Sequence, residues 1–451
     1  MSAKSRRSLS LRTLKKQCKE VALKEQERAL ILSSPSPEAT LASAILCRSL
    51  QRVQKLYHVS FCDVVVDTSS IATLRNTYPN HQMFIVGSLV YGKKKLSKKG
   101  GHPLLIGSET TSSSDVPCIG DFSSVSPSAY TYSREHLSAN DLELQTAAAG
   151  VLIEDNPKEH RSKASIETVE LAEEKGLLSG RKGAKLFGAS FLPLNEILQY
   201  SIHPYLQGIS GNSQSCEKIL DDADIPLTKR GSSLTELSKE ESKRLNEQLV
   251  QNDLRFNNPT IHSAFGEDYV FPHESESSPL RFLSAMRSLG DTAWARHELG
   301  FSTGVWIGDR SRMMEDLVLN HKTHCEAVIS GMKRVKDILE IVESDNTLYL
   351  THESPLTKDI ANQVLADISR IAYEIGIADT GKYLVLHSDT CVSVSWNQKQ
   401  IDVMTVVMKF IEAGFNVAST SSHSIEVERT SRDDYEKILS YLDSLELKSA
   451  R

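Results

Sequence analysis

The sequence predicts an α/β protein: a mostly parallel sheet domain, an inserted α-rich middle module, and a smaller C-terminal α/β domain. Three observations predict it. Short apolar strands alternate with helical stretches through the first 155 residues, the pattern of a parallel sheet covered by helices on both sides. From Gly183 the chain is punctuated by Pro and Gly and then becomes highly charged in "LTELSKEESKRLNEQLV". From Thr347 to Leu445 strands and helices alternate again, as a compact unit of their own. The expected domains are therefore residues 1–182, 183–345 and 346–451.

In order, the basic N-terminus (Met1 to Gln17, with no acid) has the composition of an organellar transit peptide. Its pattern runs on through Glu20, Glu25 and Glu27 without a break, so an amphipathic first helix is the expectation. Strands are expected at "ALIL" (29–32), "DVVVD" (63–67), "MFIVG" (83–87) and "PLLIG" (103–107). After the first strand, the turn "SSPSPE" leads into a helix with Leu41, Ala44, Ile45, Leu50 and Val53 on one face. "GKKKLSKKGG" reads as a solvated insertion whose functional use would be nonspecific phosphate contact by Lys93, Lys94, Lys95, Lys98 and Lys99. The serine-rich run from Ser108 to Ser133 reads as a long surface loop. A long helix is expected from Met313 to Val342. The last block should follow as strand "TLYL", helix 357–375, strands "KYLVL" and "CVSVSW", helix 401–413, strand "SIEVE" and helix 432–445.

Composition excludes several functions. A net charge of −6 gives no overall attraction to nucleic acid, and no apolar run is long enough to span a bilayer. The seven cysteines are scattered without a C-x-x-C pair, which fits a reducing cytoplasm and argues against a disulfide framework or zinc ribbon. His321, His324, Cys325 and Glu326 have helical spacing, but His321 and Cys325 fall on the apolar stripe of Met314, Leu317, Val328 and Met332. They are expected to pack in the core and hold no metal. No P-loop, nucleophile elbow or H-E-x-x-H motif is present.

Ligand sites in parallel sheets lie at the strand C-terminal ends, here "SSPSPE", "GSLVYG", "GSETTSSSD" and "LIEDNP". The order of "ATLASAILCRSLQ", "MFIVGSL", "PLLIGSE" and "LELQTAAAGVLIED" resembles the DHH phosphoesterase superfamily, specifically archaeal RecJ-like nucleases. "ILQYSIHPYLQGISGN", "SPLRFLSAMRSLG" and "GVWIGD" resemble the partner-contacting insertion of those proteins, and the last block resembles the DHH-associated domain.

Active members of that family hold two divalent metals, usually manganese, on aspartates and histidines at the strand ends. Those metals turn a water into hydroxide and clamp the phosphodiester. Here the D-x-D-G motif falls on Ser36, Pro37, Glu38 and Ala39, and the next aspartate on Gly87 or Ser88. The D-H-H motif falls on Gly107, Ser108 and Glu109, and the fourth aspartate on Glu154. Of the glycine-rich loop in the last domain, only His423 remains. Serine and glycine do not replace carboxylate and imidazole for a hard dication, so no catalytic residue, metal or cofactor is expected. The resemblance implies an inactive scaffold of archaeal DNA replication, like the RecJ-derived component of the CMG helicase, binding GINS and supporting MCM. The alternative is a divergent manganese-dependent exonuclease on single-stranded DNA or RNA. Glu38, Glu109 and Glu154 are expected to be solvated loop acids, or at most an acidic pocket for one weakly held cation. Single-stranded DNA contact, if retained, would fall on the lysine loop and His423.

Overall fold

The computed structural model describes residues 9–21, 26–92, 102–110, 116–153, 158, 161–255, 265–338, 340–343, 347–351, 364–378, 382–388, 390–396, 403–420, 424–429 and 432–444. The lysine loop, Glu154 and His423 lie outside them.

Helix α1 (Leu11–Glu20) and strand β1 (Arg28–Ser33) come first, then α2 (Pro37–Arg52), β2 (Leu56–Phe61) and β3 (Val65–Asp67). Next come α3 (Thr68–Thr77), β4 (His81–Val86), β5 (Leu89–Tyr91), β6 (Leu104–Ile106), β7 (Glu109–Thr110) and β8 (Cys118–Ile119). Helices α4 (Val125–His136), α5 (Asp141–Ile153) and α6 (Lys163–Glu174) complete this part.

Strand β1 is apolar from Ala29 to Leu32 because both its faces are covered there. It pairs in parallel with β2 on one side and β4 on the other, in a five-stranded sheet ordered β2-β1-β4-β6-β8. Alternation divides its side chains. Ile31, Phe84, Val86 and Ile106 enter the core under α2, α4 and α5, while Leu30, Leu32, Met83 and Ile85 meet Ile71 of α3 and Val66 on the opposite face. A second, three-stranded parallel sheet, β3-β5-β7, lies beside it.

Helix α2 starts where the sequence places it, since the Ser36 hydroxyl caps Ala39 N at 3.1 Å and Pro37 takes the first turn. It is buried on nearly every side, so Leu41 and Ile45 each gain about 1.5–3 kcal/mol of burial.

Two expectations fail here. "DVVVD" contributes only β3, outside the main sheet, and the partner of β1 is instead β2, "LYHVSF". In its described residues the serine-rich run is no surface loop: residues 111–115 lie outside them, and the rest contains β7, β8 and α4, with Ser124, Ser126, Ser128 and Ser133 fully buried.

The middle part contains β9 (Ser179–Ala184), α7 (Leu194–Gln199), α8 (Ser213–Asp222), α9 (Lys239–Arg255) and β10 (Phe265–Val270), with β9 and β10 paired antiparallel. Helices α10 (Leu283–Ala295), α11 (Leu299–Ile307) and the long α12 (Arg312–Ile338) follow. Their apolar faces join the same core cluster as α2 and α5, which runs from Leu14 to Leu317. Gly290 of α10 lies against Pro37, at the mouth of the first strand-to-helix turn.

The last part contains β11 (Glu340–Glu343), β12 (Thr347–Thr351), α13 (Leu365–Glu374), β13 (Tyr383–His387), β14 (Cys391–Ser395), α14 (Val403–Glu412), β15 (Val417–Thr420), β16 (Ser424–Glu428) and α15 (Arg432–Ser444). Its six-stranded mixed sheet is ordered β11-β12-β13-β14-β16-β15. Among the described residues no helix is long and apolar enough to cross a membrane.

Candidate functional site

The site to test is the row of C-terminal strand ends on the main sheet. Strands β4 and β6 each end in a glycine with positive φ, Gly87 at +65° and Gly107 at +53°. These turns fold the chain over the sheet edge, and their amides stay in the ladder: Gly87 N donates to Ile106 O at 3.1 Å and Gly107 N to Ile119 O at 2.8 Å.

Neither position has room for a side chain. A Cβ on Gly87 would sit 2.8 Å from Ser34 Oγ and 2.9 Å from Ala39 Cβ. On Gly107 it would sit 2.3 Å from Val125 Cα, the first residue of α4. The start of α4 therefore fills the space above the strand ends.

Ser108 is fully buried. Its hydroxyl accepts from Ser88 N and can donate to Ile85 O or Ile106 O, all at 3.0 Å, so it stitches β4 to β6 and faces no cleft. The thiols nearby are neutral. Burial pushes Cys62 up to about 11 and Cys118 up to about 12, and Cys118 donates to Ser108 O at 3.0 Å.

The acids do not form the expected set. Glu38 is no solvated loop acid: it is 9% exposed in the first turn of α2, and Ser126 N donates to its Oε1 at 3.0 Å. A carboxylate at the first turn of α4 satisfies one of that helix's unpaired amides and faces the positive end of its dipole. Ser126 also packs against Gly150 of α5, where a Cβ would lie 2.0 Å from its hydroxyl. Glu109 lies in β7, in register with Leu89 in the second sheet. Ser36, the remaining first-motif position, is occupied with capping α2. Among the described residues, no group of three or more His, Cys, Asp and Glu side chains is arranged to hold a metal ion. Two divalent ions do not fit these described positions: Gly87 and Gly107 carry no side chain, Ser108 offers a buried hydroxyl, and Glu38 is already engaged.

A second polar cluster escaped the sequence reading. His321 and Cys325 do pack in the core, as their stripe implies. His321 is 1% exposed, lies 4.0 Å from the Phe187 ring and bonds Thr292 Oγ1 at 2.7 Å, while burial holds its imidazole well below its ordinary range. His324, off that stripe, is equally buried, and its Nε2 meets Asp367 Oδ2 at 2.8 Å. His203 reaches Asp367 Oδ1 at 3.2 Å, and Arg370 reaches the same oxygen at 3.1 Å. Burial opposes the Asp367 charge, yet the two imidazoles and Arg370 together hold its carboxyl well below the usual range. This network ties the long helix α12 and the turn at His203 to α13. No local pattern announces it, because its members lie far apart in sequence.

Residues 186–262 match the DHH-CID domain family. No curated protein sequence matches the chain. The fold is that of an α/β protein whose first sheet is mostly parallel and ends against a helix. More particularly, the chain shares its fold with CDC45 from Entamoeba histolytica, at a TM-score of 0.60 and 11% identity, over 96% of this chain and 98% of that one. RecJ from Thermus thermophilus in complex with Mn2+ aligns at a TM-score of 0.46 and 9% identity, over 96% of this chain and 54% of that one.

Proposed function

We propose that the chain is a non-catalytic RecJ-like scaffold of the DNA replication machinery, which binds GINS and supports the MCM helicase. One observation carries the reading: the strand ends leave no room for metal-binding side chains, with Gly87 against Ser34 and Ala39, Gly107 against Val125 of α4, and Ser108 buried between β4 and β6. The end-to-end CDC45 fold supports a replicative setting. The middle module, residues 183–345, and the C-terminal domain, 346–451, are the proposed partner-binding parts, and the DHH-CID match falls within the former. Seven unpaired cysteines suit a reducing compartment, the cytoplasmic location proposed from the sequence. Any single-stranded DNA binding is weak and salt-sensitive, and requires no cofactor.

The test is size-exclusion chromatography of the full chain with purified GINS at micromolar concentration. Co-migration is expected, and two separate peaks would count against the scaffold. The exonuclease reading needs Glu38, Glu109 and Glu154 to converge on a metal, and the bond from Ser126 N to Glu38 works against that.

A further inference from the structure

The C-terminal sheet buries a carboxyl group that the scaffold role leaves unused. Glu426 lies in β16 and is 7% exposed, with β14 and β15 on its two sides. In register it stands opposite Ser393 of β14 and Ser419 of β15.

Alternation puts Ser393 and Ser395 on the same face as Leu384 and Leu386 of β13, the face that packs under α13. Ser393 and Ser395 are 0% and 3% exposed, and neither hydroxyl has a hydrogen-bond partner among the described residues. The same holds for Ser369 of α13, which is fully buried. One turn further on, the Tyr373 hydroxyl donates to Ser395 O at 2.9 Å. A buried acid thus shares its face with neutral hydroxyls.

The charged and titratable groups around it do not compensate it. Cys391 of β14 is a buried neutral thiol and supplies no charge, while Glu428, two residues further along β16, interacts with Asp63 and brings no positive charge. Arg429 donates to Ser388 O at 3.0 Å, beside His387. On α13, Asp367, Arg370 and Glu374 bond one another and the two imidazoles of His203 and His324. Burial, with no opposing cation among the described residues, raises the Glu426 carboxyl to about 7.

We propose that Glu426 is a proton-operated switch in the outer half of the C-terminal sheet: protonated it lets β14, β16 and β15 stay packed, and ionised it loosens them. This goes beyond the scaffold reading and does not depend on it. The sign follows from linkage. The folded state binds this proton more tightly than the unfolded one, so the stabilisation is full below the ordinary glutamate pKa of 4.5, falls as pH rises, and is lost above about 7. For a carboxyl moved from 4.5 to about 7, local opening grows about tenfold between pH 6 and pH 8.

Hydrogen exchange of the full chain at pH 6 and pH 8, corrected for intrinsic exchange rates, tests the idea in the amides of residues 391–395 and 424–428. The wild type is expected to show about tenfold more opening at pH 8. Glu426→Gln, which carries a neutral side chain of the same shape, is expected to show no pH step there. An equal step in the Gln variant would overturn the proposal by assigning the titration elsewhere. Unchanged protection in the wild type across this range would overturn it too, and that measurement needs no variant to fold.

Discussion

Ser108 shows how much one side chain decides. In the family that the sequence resembles, this position carries a metal ligand; here its hydroxyl accepts from the buried Ser88 amide. Ser108→Ala would leave that amide without its partner in a dry site, at a cost of about 1–3 kcal/mol. Urea unfolding should therefore give a lower midpoint at an unchanged m-value. Asp367 is the corresponding residue at the other end of the molecule. Asp367→Asn keeps the shape but takes the carboxylate from two imidazoles and leaves Arg370 with Glu374 and Ile202 O, and is expected to cost about 3 kcal/mol. Because the folded carboxyl titrates below its ordinary value, its contribution is present above about pH 4 and lost as the pH falls further. Thermal melts from pH 7 down to pH 3 should show this acid-dependent loss in the wild type and a flatter profile in the Asn variant.

Whole elements were legible in the sequence wherever burial was continuous. Strands β1, β4 and β6, helix α2, and β13, β14, β16 and α15 fall close to their expected positions, because unbroken apolar runs and helical stripes leave little choice. The failures have different physical causes: a weak period in β2, buried hydroxyls in α4, and a long helix that stops at Ile338, short of Val342, where Glu340–Glu343 turns to strand. Strand β2 is half-buried and mixes His58 and Ser60 with its apolar residues, so it carries no strong period. Helix α4 buries its hydroxyls in the fold, with Thr131 bonding Pro127 O at 2.8 Å and Ser126 reaching Glu38 O at 3.4 Å, and composition alone cannot separate that from a solvated loop. The site was legible as a set of missing ligands. That α4 fills the space was not, since it depends on Val125 meeting Gly107 across the fold. Glu38 fixes the start of this helix, so Glu38→Ala should cost about 1–2 kcal/mol, in the range of a lost helix cap. Hydrogen exchange should rise first at the amide of Ser126 and in the opening turn of α4.

At the scale of the whole chain, the apolar core from Leu14 to Leu317 makes the first sheet and the middle helices one packed body. The Asp367 network then fastens α13 of the C-terminal part to α12. A partner gripping the middle module would thus load the first sheet directly through that shared core. That reading makes a paired expectation. The full chain should co-migrate with GINS, and it should leave single-stranded DNA and RNA intact at millimolar manganese, because an acid at position 87 or 107 would have to displace Ser34 or α4 before any metal could bind. The two outcomes fail separately. Loss of co-migration alone removes the partner and leaves the packed site untouched. Robust manganese-dependent degradation that vanishes in a Glu38→Gln, Glu154→Gln double variant would instead mean that α4 moves aside in solution, and the chain would then have to be understood as an enzyme.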